Sequence, residues 1–177
     1  MRKIMGKRSD FERIERDFYP TPYSAVAPLI AHLPQKPFTF VEPCAGDGRL
    51  IDHLGLHNGM CIHASDIEPQ SDEIMEMDCF DVNAKAQYII TNPPWNRKIL
   101  HPMIEHFSNI APTWFLFDSD WMHTKQSIPF LTKLKKVVSI GRVKWIEGSS
   151  SVGKDNCCWY LFDNTDMVKP IEFWGRT

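Results

Sequence analysis

Short apolar runs alternate along the chain with amphipathic or polar stretches, and their spacing predicts an order of elements. Residues 9–16 read as a short polar helix. A second helix is expected with Thr21 as its N-cap and Pro22 at its first position, running through Ala25, Leu29 and Leu33 with a kink at Pro28. After Pro34 the runs shorten: strands are predicted over 38–41, 60–65, 87–91, 113–117, 137–146 and 157–162, and helices over 49–56, 99–110 and 125–135. Strands separated by helices pair in parallel through crossovers, whereas the last two, joined by a loop rich in serine and glycine over 147–156, read as an antiparallel hairpin. The predicted fold class is α/β, a mainly parallel central sheet ending in an antiparallel pair.

Composition narrows the class. With 177 residues, 43% apolar and 24% charged, the chain is expected to form one domain over 1–177, with 1–16 as a basic and polar extension. Five cysteines, odd in number and without a C-x-x-C spacing, argue against a disulfide scaffold and against zinc, so no metal is expected. His53 and His57 lack a third ligand and read as surface histidines. No window approaches the roughly 18 apolar residues of a membrane span, and the basic opening runs into charge rather than an apolar stretch; the expectation is a cytoplasmic protein with no membrane partner. The net charge of −2 hides a division: residues 38–83 hold ten acidic side chains against Arg49 alone, while 125–154 hold seven basic ones against Glu147. Such polarity suits a cationic or hydroxyl-rich small molecule at one place and a polyanion at another, or simply a solvated face.

The segment Phe40-Val41-Glu42-Pro43-Cys44-Ala45-Gly46-Asp47-Gly48-Arg49-Leu50 runs from a strand through a glycine turn into a helix, where a ligand can approach the backbone closely. Ile51 occupies the place of the third glycine of a dinucleotide site, which weakens an NAD reading. Asp66 ends the next strand twenty residues after Gly46, the spacing at which a carboxylate meets ribose hydroxyls. Asp78, followed by Cys79 and Phe80, is placed to accept from an adenine amino group beside an apolar wall. Glu42 and Asp47 would repel a pyrophosphate and tolerate a cationic centre, which selects S-adenosyl-L-methionine over NAD. Further along, the strand over 87–91 delivers Asn92-Pro93-Pro94-Trp95 to the carboxyl edge of the sheet. The Asn92 side-chain oxygen and the Pro93 carbonyl can accept hydrogen bonds from a planar exocyclic amine, Pro94 stiffens the turn, and Trp95 offers a face for a base to stack on.

The glycine turn with Asp66 and Asp78 resembles the first motifs of class I S-adenosylmethionine-dependent methyltransferases. Asn-Pro-Pro-Trp resembles the catalytic motif of amino methyltransferases, above all those acting on N6 of adenine in DNA. The order, Thr21-Pro22, then the glycine turn, then the tetrad, is similar to that of their gamma class, and the outline resembles small enzymes encoded by phages and prophages. The resemblance implies a Rossmann-like class I methyltransferase fold, cofactor contacts from Thr21, Glu42, Cys44, Ala45, Gly46, Asp66, Ile67, Asp78, Cys79 and Asn92, and catalysis by Asn92, Pro93, Pro94 and Trp95. For the substrate, Trp95 would meet the base and Arg97 and Lys98 the phosphates, unless the latter two are only the exposed start of the next helix. Loops over 118–123 and 148–156, carrying Trp121 and Lys154, are the candidates for further substrate contacts. With 82 residues after Trp95, a separate target-recognition domain is not expected. Recognition of duplex DNA would then fall to loops, a second copy in a homodimer, or a partner protein. Other readings are methylation of an RNA base or a protein glutamine amide, a cofactor-binding partner subunit without turnover, and an NAD-dependent oxidoreductase.

Overall fold

A computed structural model describes residues 19–146, 148, 152–165 and 170–176. The predicted helix over 9–16 and the rest of the N-terminal extension lie outside the described residues. Eight strands, β1 (Phe38–Glu42), β2 (Gly59–Asp66), β3 (Met75–Glu76), β4 (Tyr88–Thr91), β5 (Thr113–Asp118), β6 (Leu134–Arg142), β7 (Asn156–Phe162) and β8 (Glu172–Trp174), form one sheet. Its order is β3-β2-β1-β4-β5-β7-β6-β8. All neighbours are parallel except β7, which runs antiparallel between β5 and β6. The α/β reading, with its antiparallel C-terminal pair, therefore holds.

Both faces of the central strands are covered, which is why β5 reads as one continuous apolar run. On one face α1 (Tyr23–Ile30) and α2 (Arg49–Gly55) pack Ala25, Leu29, Leu50 and Leu54 onto Phe40, Trp114, Leu116 and Trp159. On the other, α3 (Arg97–Ser108) buries Leu100, Met103, Ile104 and Phe107 against Val41, Phe115, Phe117 and Tyr160. That helical stripe at i, i+3, i+4 and i+7 contributes roughly 1.5–3 kcal/mol per buried side chain. The Asn96 side chain caps α3 by accepting from Lys98 N at 3.0 Å.

Several predicted elements shift. Thr21 does not cap α1; Pro22 holds that position without a side-chain bond, and the helix stops at Ile30 rather than reaching Leu33. The helix expected over 125–135 is instead a 3-10 segment at Lys125–Phe130, interrupted by Pro129, and β6 has already begun at Leu134. Lys133 and Lys135 are nearly buried there, Lys133 paired with Glu105, so charge disguised the start of a strand. β6 ends at Arg142, short of the expected 146, just past a bulge and a left-handed Gly141. Two short exposed strands, β3 and β8, carry no apolar run that would mark them in the sequence.

Candidate functional site

The glycine turn joins β1 to α2 through Gly46 and Gly48, both left-handed (φ 56° and 83°), a conformation that glycine adopts without steric cost. The turn is held to the end of β2: Ala45 N donates to Ser65 O (2.9 Å) and Gly46 N to Asp66 Oδ2 (2.9 Å). Asp66 Oδ1 accepts from Glu68 N at 2.8 Å. Each carboxylate oxygen already takes one backbone proton and keeps acceptor capacity, so Asp66 is a pre-oriented acceptor at the cavity wall. Asp78 Oδ1 likewise accepts from Phe80 N (3.0 Å) and starts the 3-10 turn Cys79–Asp81.

A cavity of about 740 Å³ opens along the carboxyl ends of β1, β2 and β4. It brings together all ten residues singled out for a cofactor: Thr21, Glu42, Cys44, Ala45, Gly46, Asp66, Ile67, Asp78, Cys79 and Asn92. Sequence reasoning missed Tyr19 and Pro20, which enter from the segment ahead of α1, and Ile99 and Met103 of α3; only their proximity to Thr21 and to the tetrad could have pointed to them. Glu42 is only 1% exposed, and its Oε2 has no hydrogen-bond partner among the described residues. Burial, reinforced by the nearby Asp66 and Asp47, pushes its carboxyl well above the usual range. The Cys44 thiol is also pushed well up, first by its hydrogen bond to Cys79 and then by burial, which keeps it neutral and unsuited to nucleophilic chemistry.

β4 delivers Asn92 to the edge of this cavity, and the side-chain amide is oriented from behind. Its Nδ2 donates to Tyr19 O (3.3 Å) and to Thr21 Oγ1 (3.2 Å), and Oδ1, which takes only a long bond from the Trp95 ring nitrogen, keeps acceptor capacity to spare. The Trp95 ring nitrogen points inward, to Leu116 O at 3.1 Å and more weakly to Asn92 Oδ1 at 3.4 Å. On the far side of Asn92 lies a second cavity of about 330 Å³, lined by Tyr19, Asn92, Trp95, Arg97, Asp118, Trp145 and Asp155. Asn92 and Tyr19 border both cavities. Pro94 lines the larger one, whereas Pro93 is buried and lines neither.

Three expectations for substrate contacts change. Trp121 is fully buried; its ring nitrogen bonds His101 Nε2 (3.0 Å) and its ring packs on Phe117 and Tyr160, so it is a core residue and meets no ligand. Arg97 is paired with Asp118 and lies 5.9 Å over the Phe117 ring, facing the second cavity rather than standing free for phosphates. Trp95 has its ring edge committed to the interior, and it contacts Trp145 edge-to-face at 5.9 Å. Lys98 and Lys154 are exposed, Lys154 next to Asp155 at the second cavity. His53 and His57 pack around Tyr23, whose hydroxyl bonds His57 Nε2 at 2.9 Å. No cluster of metal-ligating side chains occurs among the described residues, and no described helix is long and apolar enough to cross a membrane.

No protein-family model matches the chain, and no curated protein matches it in sequence. Solved structures do. A structure provisionally named an RNA methyltransferase from Pyrococcus horikoshii superposes with TM-score 0.63 at 13% identity, covering 89% of this chain and 92% of that one. A class I S-adenosylmethionine-dependent methyltransferase, also provisionally named, from Listeria monocytogenes gives 0.58 at 10% identity, over 94% and 68%. The methyltransferase subunit of a type I restriction-modification system from Streptococcus thermophilus gives 0.61 at 8% identity, over 89% and 47%. The chain thus spans about half the length of that subunit. At these identities the likeness is one of fold: the chain adopts the Rossmann-like class I methyltransferase fold.

Proposed function

We propose that the protein is an S-adenosyl-L-methionine-dependent methyltransferase acting on an exocyclic amine, most specifically N6 of adenine in DNA. The observation that carries this reading is Asn92, set between the two cavities with its amide oriented by Thr21 and Tyr19 and its Oδ1 keeping acceptor capacity for an amine. The fit to the cofactor rests on Glu42, whose unpartnered buried oxygen calls for a cationic ligand, since a buried carboxylate is costly until it is paired. Asp47, Asp66 and Asp78 around the same cavity disfavour a pyrophosphate and suit ribose and amino groups. Asp66 would hold ribose hydroxyls, Asp78 with Cys79 the adenine, and Glu42 the cationic part.

When bound, the cofactor would supply an electrophilic sulfonium methyl for the amine nitrogen, leaving as a neutral thioether, with the amine proton lost to water. The protein's part is positional. Asn92 Oδ1 draws a hydrogen bond from the amine, turning its lone pair toward the larger cavity, and no strong general base is needed; Pro93, buried away from both cavities, stiffens the turn that carries Asn92. Aromatic walls in the smaller cavity suit a base taken out of its stack, offsetting part of the few kcal/mol that extrusion costs. The exposed Lys98 and Lys154 suit phosphate contacts. Sequence discrimination would come from loops, a second copy or a partner protein.

The test is titration with adenosylmethionine and with NADH, then competition for methyl transfer among duplex DNA, RNA and protein extract. Saturable adenosylmethionine binding and label in DNA support the proposal. Label in RNA or protein would move the substrate class, and binding without transfer to any of them would leave a cofactor-binding subunit.

A further inference from the structure

The Arg97–Asp118 pair is not used by the methyl-transfer chemistry, yet it forms a wall of the cavity that Asn92 shares. Arg97 carries only donors, and its conformation is set from three sides. Its guanidinium is bonded to Asp118 Oδ2, touches Trp95 O at 3.5 Å and lies over the Phe117 ring. Asp118 is itself anchored, with Oδ1 accepting from Trp121 N (2.9 Å) and its carbonyl from the Tyr160 hydroxyl (3.0 Å). The two side chains are 29% and 16% exposed. A guanidinium has five N–H donors in a rigid fork, so the pairing leaves donors to spare while cancelling the net charge. With the Asp155 carboxylate also in the lining, such a wall suits a neutral polar ring better than a phosphate.

Asn92 thus presents an acceptor and Arg97 a donor to one cavity between the Tyr19, Trp95 and Trp145 rings. At about 330 Å³ it lies at the small end of ligand pockets, a size for a single base. The complementary ligand is a flat ring carrying an amine donor beside a ring-nitrogen acceptor. The Watson–Crick edges of adenine (N6 beside N1) and cytosine (N4 beside N3) have that order, whereas guanine sets a donor, N1–H, beside its amine.

We infer that Arg97, clamped by Asp118, is a specificity-determining residue that donates to the ring nitrogen next to the target amine, and that Asp118 is its positioning residue. The inference rests on the proposed methylation of DNA adenine. Its test uses duplex oligonucleotides carrying a sequence that the wild-type protein methylates, with the target adenine replaced by 1-deazaadenine, which keeps the amine and loses N1, or by 3-deazaadenine, which keeps both. The expected loss in kcat/KM is about 10- to 100-fold for the 1-deaza duplex, the scale of a hydrogen bond to a charged donor, with little change for the 3-deaza duplex. Arg97→Met should lose a similar factor on adenine and none further on 1-deazaadenine, with adenosylmethionine affinity unchanged. Asp118→Asn should lose less and keep the preference for N1. Equal rates on adenine and 1-deazaadenine in the wild type would overturn the inference alone, and that comparison stands even if a variant fails to fold. Absence of any DNA adenine methylation would overturn the inference together with the reading beneath it.

Discussion

The larger cavity keeps a buried carboxyl, Glu42, whose Oε2 has no partner among the described residues, whereas in the smaller one Arg97 and Asp118 pair with each other. The contrast reads as a difference in ligand charge. An unpaired buried carboxyl is destabilising until a cation arrives, so it trades stability of the empty protein for affinity. A paired guanidinium and carboxylate exert little net field and offer direction instead of charge, which suits a neutral ring. Asn92 stands between the two, where a cationic methyl donor and a neutral amine would meet.

The largest effect should come from removing the side-chain amide that borders both cavities. Asn92→Ala is expected to lower kcat for methyl transfer by at least about 10²-fold, the scale of a lost transition-state hydrogen bond, while adenosylmethionine affinity measured by calorimetry stays within a few-fold. Next comes Glu42→Gln, which should weaken adenosylmethionine binding about 10- to 100-fold. It should also raise the melting temperature of the ligand-free protein at neutral pH. The sign follows from the raised carboxyl: the folded state holds its proton to higher pH than the unfolded one, so stability falls as pH rises from about 4, the usual carboxylate range, toward the raised value. Melting curves across that window should show the fall in the wild type and lose it in the variant. Over the same window adenosylmethionine affinity should rise with pH, as the carboxylate that pairs with it forms.

A smaller effect separates orientation from binding. Thr21→Val removes one of two acceptors behind the Asn92 amide and should lower kcat roughly 5- to 10-fold with little change in KM for DNA, while Thr21→Ser restores it. The smallest belongs to the exposed bases. Lys98→Ala and Lys154→Ala should each weaken DNA binding slightly and flatten the dependence of log affinity on log salt by about 1, without altering kcat at saturating DNA.

The two cavities also differ in how far the sequence disclosed them. The larger one was legible because its parts are local: a glycine turn needing left-handed φ at Gly46 and Gly48, and Asp66 at a set distance along the next strand. The smaller one is assembled from Tyr19, Trp95, Arg97, Asp118, Trp145 and Asp155, and the pairing that turns Arg97 away from solvent is non-local. Trp121 misled for the same reason, since an aromatic in a polar loop reads as a contact residue until Phe117 and Tyr160 are seen to enclose it. In the fold, strands buried on both faces showed as apolar runs. β3 and β8 did not, being two and three residues long and exposed. Thr21 illustrates a competition between two uses of one hydroxyl: a good N-cap by its position, it serves Asn92 instead.

The most direct test of the central claim is transfer of a radiolabelled methyl group from adenosylmethionine to unmethylated duplex DNA by the purified chain, with the product nucleosides identified by mass. The account predicts label in N6-methyl-2′-deoxyadenosine, lost in Asn92→Ala. Saturable binding of adenosylmethionine with no label in DNA would contradict it.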